Sequence, residues 1–579
     1  MNVNKDPKNR DEHSEVERIK ALSNHLRGGI AHELINAEPG FSRESTQLLK
    51  FHGVYTQDNR DTRSARVRSG LGVEHICMIR VAIPGGRLSA DQYLSLNDLA
   101  TRLGHNSLRC TTRQGIQFHF VTKSELAPLV REINDTLLTS WGGCGDVVRN
   151  VTSCPSDRYR SLGLAELTDA ISLRYKAPSD AYYELWVDGE RVPQEILAAP
   201  SIDESIYGAT MLPRKFKIGV TTSVDNCIDV LSCDLGVVLD IDQADRVRLY
   251  VGGGLGRSGT DESTFAQLGL LLGEIDRSDL FEAIDGVIEI QRDHGNRRDR
   301  SHARLKYLIN DWGLDRFRSE LLRRHPIEIR PAYLDTFVKT TDHLGTASVA
   351  RDLVEYGLKL PSGRIADTDT TPYRTALASV IGGLQAKIAI TARGDLLFLE
   401  LNPERVTELE QLLEESGLSA PLQLSAVRRN AFACVALPTC GQALAESERF
   451  LPSLLTELEA SLSEFGLDDL DLDLRMTGCP NGCARPYLGE VGIVGRSKKS
   501  YDIFVGADRQ GRRLNKLFGE DIRNDRLVET LQPLFQYFER HRLSGQRFGD
   551  FIASLNDETF ASLQPVTRRT VHRTTQDQV

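Results

Sequence analysis

Two stretches of this chain carry the same landmarks in the same order, and that repetition limits the fold more than any other feature. Pro84-Gly85-Gly86-Arg87-Leu88 returns as Pro361-Ser362-Gly363-Arg364-Ile365, each leading into Leu and Ala at helical spacing. Thr111-Thr-Arg-Gln-Gly-Ile-Gln-Phe118 returns as Thr391-Ala-Arg-Gly-Asp-Leu-Leu-Phe398, a turn opening into an alternating, strand-like run. Arg149-Asn-Val-Thr-Ser-Cys154 then matches Arg429-Asn-Ala-Phe-Ala-Cys434 at the offset of the preceding pair. Three ordered echoes make chance a poor explanation.

Each unit reads as a small strand–helix–strand lobe followed by a larger lobe. The larger lobes share an ending, since Leu249-Tyr-Val-Gly-Gly-Gly254 resembles Ile503-Phe-Val-Gly-Ala-Asp508 and helix-rich segments follow both. The expectation is an internally duplicated α+β protein with pseudo-twofold symmetry. A segment over 1–69 wraps the core, small lobes occupy 70–140 and 341–424, and larger lobes occupy 141–340 and 425–579. A large cofactor belongs between the halves, because ligand clefts favour such interfaces.

Charge and cysteine usage narrow the class. With 71 Lys+Arg against 81 Asp+Glu, the net charge of −10 excludes a generally basic nucleic-acid binder. The apolar stretches are too short to span a bilayer, and Met1 to Glu17 has neither a secretory nor a transit-peptide pattern, so a cytoplasmic protein is expected. Ten cysteines in 579 residues make no disulfide scaffold. Four of them cluster near the end.

Cys434 and Cys440 form a C-x5-C pair, and Cys479 and Cys483 a C-x3-C pair, on segments broken by Pro438, Pro480 and Gly482. Such loops wrap around a guest. Four thiolates suit either a tetrahedral zinc or a 4Fe–4S cluster, and the wider spacing favours the bulkier cluster without excluding zinc. Cys77, Cys110, Cys227 and Cys233 read as small buried hydrophobes.

Cys434-x5-Cys440 with Thr477-Gly-Cys-Pro-Asn-Gly-Cys-Ala-Arg-Pro486 resembles the cluster motif of the sulfite and nitrite reductase family, whose members hold a 4Fe–4S cluster beside a sirohaem. The resemblance extends over nearly the whole chain. Phe51-His-Gly-Val-Tyr-Thr-Gln-Asp-Asn-Arg-Asp-Thr-Arg63, Ile79-Arg-Val-Ala-Ile-Pro-Gly-Gly86, Leu212-Pro-Arg-Lys-Phe-Lys217 and Gln291-Arg-Asp-His-Gly-Asn-Arg-Arg-Asp-Arg300 are most similar to its NADPH-linked assimilatory haemoprotein subunits. The resemblance implies ferredoxin-like small lobes and sirohaem- and cluster-binding larger lobes. It implies that Cys434, Cys440, Cys479 and Cys483 bind the cluster and that Cys483 also bridges to the sirohaem iron. The implied activity is six-electron reduction of sulfite to sulfide.

An anionic substrate that loses oxygen as water needs fixed positive charge and proton donors. Lys215 and Lys217 alternate about Phe216, so on a strand they share a face and Arg214 takes the other. By resemblance Arg80, Arg149, Lys215 and Lys217 surround the substrate, the arginines as bidentate donors and the lysines as proton sources. Sirohaem carries eight carboxylates, and Arg113, Gln117 and His119 share one face of a strand that could clamp them. Arg214 and Asn481 join that set by resemblance. His119 is not an iron ligand in this reading.

Two weaker features read as structural. Val251-Gly-Gly-Gly-Leu-Gly256 lacks the spacing of a dinucleotide loop and reads as a tight turn or a close backbone approach. The Arg292 to Arg304 tract mixes in Asp293 and Asp299 and reads as a solvated or locally paired face. With no flavin or NADPH motif in the chain, electrons must come from another protein. The resemblance favours a diflavin NADPH-dependent flavoprotein subunit, with a ferredoxin-linked sulfite or nitrite reductase as the alternative. A zinc-stapled binding protein is the alternative from a different class.

Overall fold

The computed structural model describes residues 13–177, 206–418 and 420–565, with the short strands Trp186–Val187 and Glu190–Arg191. Among these residues lie four five-stranded sheets, two of each kind. The first small sheet runs Val54–Asp58, His75–Val81, Ile116–Val121, Ser107–Cys110, all antiparallel. Its first strand lies inside the segment read from sequence as an extension. The second small sheet repeats the order with Gly345–Ala350, Leu353–Leu358, Leu396–Leu401 and Lys387–Ile390.

Each small sheet takes its fifth strand from the other copy. Arg364–Ala366 pairs with Ser107–Cys110, and Arg87–Leu88 pairs with Lys387–Ile390. These strands leave the repeated Pro-Gly/Ser-Gly-Arg turns, and glycine is what permits the crossing. Gly86 (φ +77°) and Gly363 (φ +81°) lie so close to the opposite copy that a Cβ would stand 2.5 Å from the Ile390 oxygen and 2.3 Å from the Cys110 oxygen.

The following helices complete the exchange. Ser89 and Gln92 cap Ala90–Leu103 reciprocally, and that helix buries Tyr93, Leu96, Leu99 and Ala100 against Tyr373–Leu384, which buries Leu377, Val380 and Ile381. Ile79, Phe118, Ile388 and Phe398 join one core that spans both copies. The two small lobes expected from sequence are thus fused into a single body.

The two large sheets are also matched strand for strand. Thr152–Ser153, Ile218–Thr222 and Leu235–Leu239 are parallel, and Arg246–Val251 and Leu270–Asp276 continue antiparallel. Phe432–Ala433, Leu474–Thr477, Val491–Ser497, Ser500–Val505 and Lys516–Arg523 do the same. The inner strands are apolar and buried on both faces, as parallel strands covered by helices should be.

The registers fix which residues correspond. Thr152 faces Gly219 and Phe432 faces Arg475, so Lys215, Lys217, Asp225, Cys227 and Asp229 correspond to Asp471, Asp473, Asn481, Cys483 and Arg485. Asp229 (φ 52°) and Arg485 (φ 53°) confirm the match, since each adopts the left-handed conformation ahead of a short 3-10 turn. These two counterparts meet: Arg485 Nε donates to Asp229 Oδ2, and Arg475 Nη1 donates to the same oxygen at 2.6 Å. The pair lies at the junction of the halves. Among the described residues, no helix is long and apolar enough to cross a membrane.

Candidate active site

The cysteine-bearing loops leave the ends of parallel strands in the second large sheet. Cys434 follows Phe432–Ala433 and Cys479 follows Leu474–Thr477, which places the two pairs beside each other. Backbone Gly478 N donates to Cys434 Sγ at 3.3 Å, and Asn481 Nδ2 lies 3.6 Å from Cys479 Sγ. Segments from elsewhere clamp these loops. Thr112 Oγ1 donates to the Cys483 carbonyl at 2.9 Å, Arg60 N donates to the Pro438 carbonyl at 3.1 Å, and Arg257 N donates to the Pro480 carbonyl at 3.1 Å.

Cys434 and Cys479 are buried, Cys440 is half-buried and Cys483 is exposed. Burial, then the neighbouring Cys483, pushes the Cys479 thiol up to about 12 and raises Cys434 and Cys440. Three thiols held protonated by burial and by their neighbours call for a cationic guest. The C-x5-C and C-x3-C spacings suit a 4Fe–4S cluster better than a tetrahedral zinc.

The cations converge on the same place. Arg80 and Arg149 both lean on the loop before the first large sheet: Arg80 Nη1 donates to Cys144 Sγ at 3.2 Å, and Arg149 Nε and Nη1 donate to the Gly145 and Gly143 carbonyls at 2.6 and 3.3 Å. Opposite burial, Cys144, Tyr55, Cys483 and Cys440 hold the Arg80 guanidinium above its ordinary pKa. Arg80 thereby joins the cation set to the cysteine set. With its amide oxygen turned toward Arg80, Gln117 accepts from Nη2 at 2.6 Å and Nε at 3.2 Å.

Lys215 and Lys217 flank Phe216, which is buried and strand-paired to the residues around Val148. Phe216 N donates to the Val147 carbonyl at 3.0 Å and Arg149 N donates to the Phe216 carbonyl at 2.8 Å, so Arg149 and both lysines are positioned by one short pairing. Burial, then Arg214 and Lys217, lowers the Lys215 pKa well below its usual value. Burial, then Arg304 and Arg113, brings Lys217 down to about 7. Among the described residues, none of Arg80, Arg113, Arg149, Arg214, Lys215 and Lys217 has a carboxylate within ion-pairing distance. Six half-buried cations without a carboxylate partner suit a polycarboxylate ligand such as sirohaem.

Other expected residues take different positions. Arg113 Nη2 donates to the carbonyls of Asn150 and, at 3.2 Å, Ile218, which clips the small body to the first large sheet. Arg393 makes the matching contact to the Asn430 carbonyl at 3.3 Å. The difference is charge: Arg393 sits 3.7 Å from Asp473, whereas Arg113 has no such partner. Arg113→Ala should therefore weaken sirohaem retention roughly ten-fold, about one charge-assisted hydrogen bond, and Arg393→Ala much less. Sirohaem occupancy of the two purified variants checks this. His119 is buried, and burial with Arg364, Arg109 and Arg80 holds its pKa well below the usual value, so it is a neutral hydrogen-bonding group. Asn481 is exposed on the loop between Cys479 and Cys483.

Three supporting residues escaped the sequence reading. Asp234 accepts the Lys217 backbone N–H at 2.8 Å and is gripped by Arg304 Nε and Nη2, both at 2.8 Å. Arg304 belongs to the tract read as a solvated face, yet it turns inward, as Arg300 does toward Asp146. The only signal was the position of that tract. Cys144, between Gly143 and Gly145, gave no spacing cue. Cys77 and Cys110 are the buried, inert thiols expected, pushed up to about 12 by burial, whereas Cys233 lies 3.8 Å from Arg113 Nη1. The Gly252–Gly256 run is a close backbone approach, with Gly256 against Asn481.

Comparison with known proteins agrees with this geometry. Residues 144–328 match the nitrite and sulphite reductase 4Fe–4S domain, and residues 71–136 match the nitrite/sulfite reductase ferredoxin-like half domain. The sulfite reductase (NADPH) hemoprotein beta-component of Staphylococcus saprophyticus is 37% identical over 548 residues, covering 94% of this chain and 95% of that one. Its counterpart in Methylobacterium nodulans is 40% identical over 543 residues, covering 93% and 89%. The chain belongs to the nitrite and sulfite reductase family. The NirA protein of Mycobacterium tuberculosis shares the fold, with a TM-score of 0.75 over 95% of this chain and 98% of that one at 22% identity. In this family member the duplicated α+β architecture and the sirohaem and 4Fe–4S chemistry expected from sequence both stand.

The internal correspondence explains why one half alone carries the cation set. Where the first half has Lys215 and Lys217, the second has Asp471 and Asp473. Asp473 binds Arg475 Nη2 at 2.7 Å, and Asp471 binds Arg547 Nη1 at 2.8 Å, so the second half neutralises its own arginines. An anionic macrocycle is favoured on one side only.

Proposed function

We propose that this chain reduces sulfite to sulfide as the haemoprotein component of an NADPH-linked sulfite reductase. The observation that carries the reading is the set of six half-buried cations without a carboxylate partner, among which Arg80 lies within electrostatic reach of Cys483 and Cys440. Cys434, Cys440, Cys479 and Cys483 would hold a 4Fe–4S cluster, Cys483 would face the sirohaem, and Arg113, Arg214, Gln117, His119 and Asn481 would receive its carboxylates. When bound, the two groups supply single electrons, six for each sulfite.

The chain's own residues then bind and protonate. Arg80 and Arg149, braced on Gly143, Cys144 and Gly145, present planar donors to the sulfite oxygens. Lys215 and Lys217 stand on the same face of their segment, and each ammonium can pass a proton to an oxygen that leaves as water. Asp234 and Arg304 hold the Lys217 backbone so that its amine keeps its direction.

Electrons would come from a diflavin flavoprotein that oxidises NADPH, and the ten free thiols support a reducing, cytoplasmic setting. Sulfide production from sulfite is expected with NADPH plus purified flavoprotein and not with NADPH alone. Turnover with reduced ferredoxin but not with the flavoprotein would assign the chain to the ferredoxin-linked class.

A further inference from the structure

Outside the cluster loops, the first half gathers a second set of ligand-type side chains. Cys154, Asp225, Cys227 and His343 are all buried, and one ligand atom from each lies within 4.8 Å of the others. Cys154 Sγ and His343 Nε2 are 3.9 Å apart. The second imidazole nitrogen, His343 Nδ1, is buried with no hydrogen-bond partner. Asp225 is oriented by hydrogen bonds to both oxygens: Oδ1 accepts from Cys227 N at 3.1 Å and Thr341 N at 3.2 Å, and Oδ2 accepts from Thr341 Oγ1 at 2.7 Å and Tyr159 OH at 3.4 Å.

The pseudo-twofold relation says what this place is. Cys154 corresponds to Cys434 through the third sequence echo, and Cys227 corresponds to Cys483 through the strand registers. The same correspondences put Arg160 and Ser223 where the second half has Cys440 and Cys479. Two of four cluster ligands are therefore retained, and the 4Fe–4S geometry is lost. Asp225 and His343 fill the gap. His343 comes from the connector between the halves, whose Lys339 N donates to the Val224 carbonyl at 2.8 Å and whose Lys339 carbonyl accepts from Asn226 N at 3.1 Å.

We propose that Cys154, Cys227, His343 and Asp225 bind one zinc ion at the first half's counterpart of the cluster site. Two thiolates, one imidazole and one carboxylate make a four-coordinate N/S/O set of the kind zinc prefers. The site is buried and all four positions are taken, so its role is structural: it fastens the connector to the first large lobe. Hydrogen bonds to Asp225 from Tyr159, Cys227 and Thr341 supply the outer shell that such sites use to orient a carboxylate. The proposal does not depend on the sulfite-reducing assignment.

The test is metal analysis and zinc K-edge X-ray absorption on the full-length holoprotein purified from zinc-replete cells. One zinc per chain is expected, with two sulfurs at about 2.3 Å and two nitrogen or oxygen ligands at roughly 2.0–2.2 Å. Cys227→Ser should lose zinc and keep iron and labile sulfide, and Cys434→Ser should do the reverse. His343→Cys, which keeps a ligand, should retain zinc where His343→Ala does not. Wild-type protein that neither contains zinc nor takes it up, or a Cys154–Cys227 disulfide in the native holoprotein, overturns the proposal. Zinc retained in a soluble, iron-loaded Cys227→Ser protein does so too.

Discussion

Cys483→Ser should strip the protein of its electron path more completely than any other single replacement. Cys483 is the exposed thiol of the four, Thr112 fixes its backbone, and its charge reaches Arg80, Cys434, Cys440 and Cys479. Serine offers a harder, more weakly binding oxygen where a thiolate is needed. Since replacing even an outer-shell partner of a metal ligand commonly costs about 10–100-fold, loss of this ligand should lower sulfite turnover by more than about 10²-fold. Iron and acid-labile sulfide should fall together, and the EPR signal of sirohaem coupled to the cluster should vanish. Cys154→Ser should leave both cluster measures intact. Equal iron loss from the two variants would contradict the ligand assignment.

The second large effect is expected at Lys217. Its half-buried ammonium stands among cations on a backbone anchored by Asp234, and Lys217→Met removes a charge and an acid together. General-acid assistance is typically worth about 10²–10⁴-fold, so kcat should fall within that range at matched cofactor content, with partly reduced sulfur species released. Lys217→Arg keeps the charge and cannot give up its proton, so it should restore sulfite binding and not turnover. The sign of the pH effect follows from the depressed pKa. The ammonium is the active form, so activity is lost as pH rises through a value at or above about 7, because bound carboxylates raise the pKa again. That limb should be missing from Lys217→Met. Arg149→Lys, by contrast, should mainly raise KM. An unchanged kcat in Lys217→Met removes the lysine from proton delivery.

Much of the architecture was legible because the duplication repeats local motifs. The Pro-Gly/Ser-Gly-Arg turns mark where a strand begins, and alternation about Phe216 shows which lysines share a face. The strand exchange was not legible, because a turn motif says where a strand starts and not which sheet accepts it. That choice is made by the opposite copy, through the Ile390 and Cys110 carbonyls that leave no room for a Cβ at Gly86 and Gly363. The four cysteines proposed to hold the cluster stand out in the sequence as two close pairs. Cys227 was read as a hydrophobe because its partners, Cys154 and His343, are far away in sequence. Arg304 was hidden in a mixed-charge tract, and its burial with its contacts to Asp234 and the Gly253 carbonyl shows that it faces inward.

The reciprocal loan of strands is the arrangement of a domain-swapped dimer whose two subunits have been tied into one chain. In a dimer of identical subunits, every residue appears twice, and a ligand preferring one side cannot have one. Joining the copies lifts that constraint, since each position can then be chosen independently. It also fixes the pairing at the effective concentration set by the connector, so association no longer depends on how much protein a cell contains. Lysines at one site and aspartates at its mirror image are the use this chain makes of that freedom.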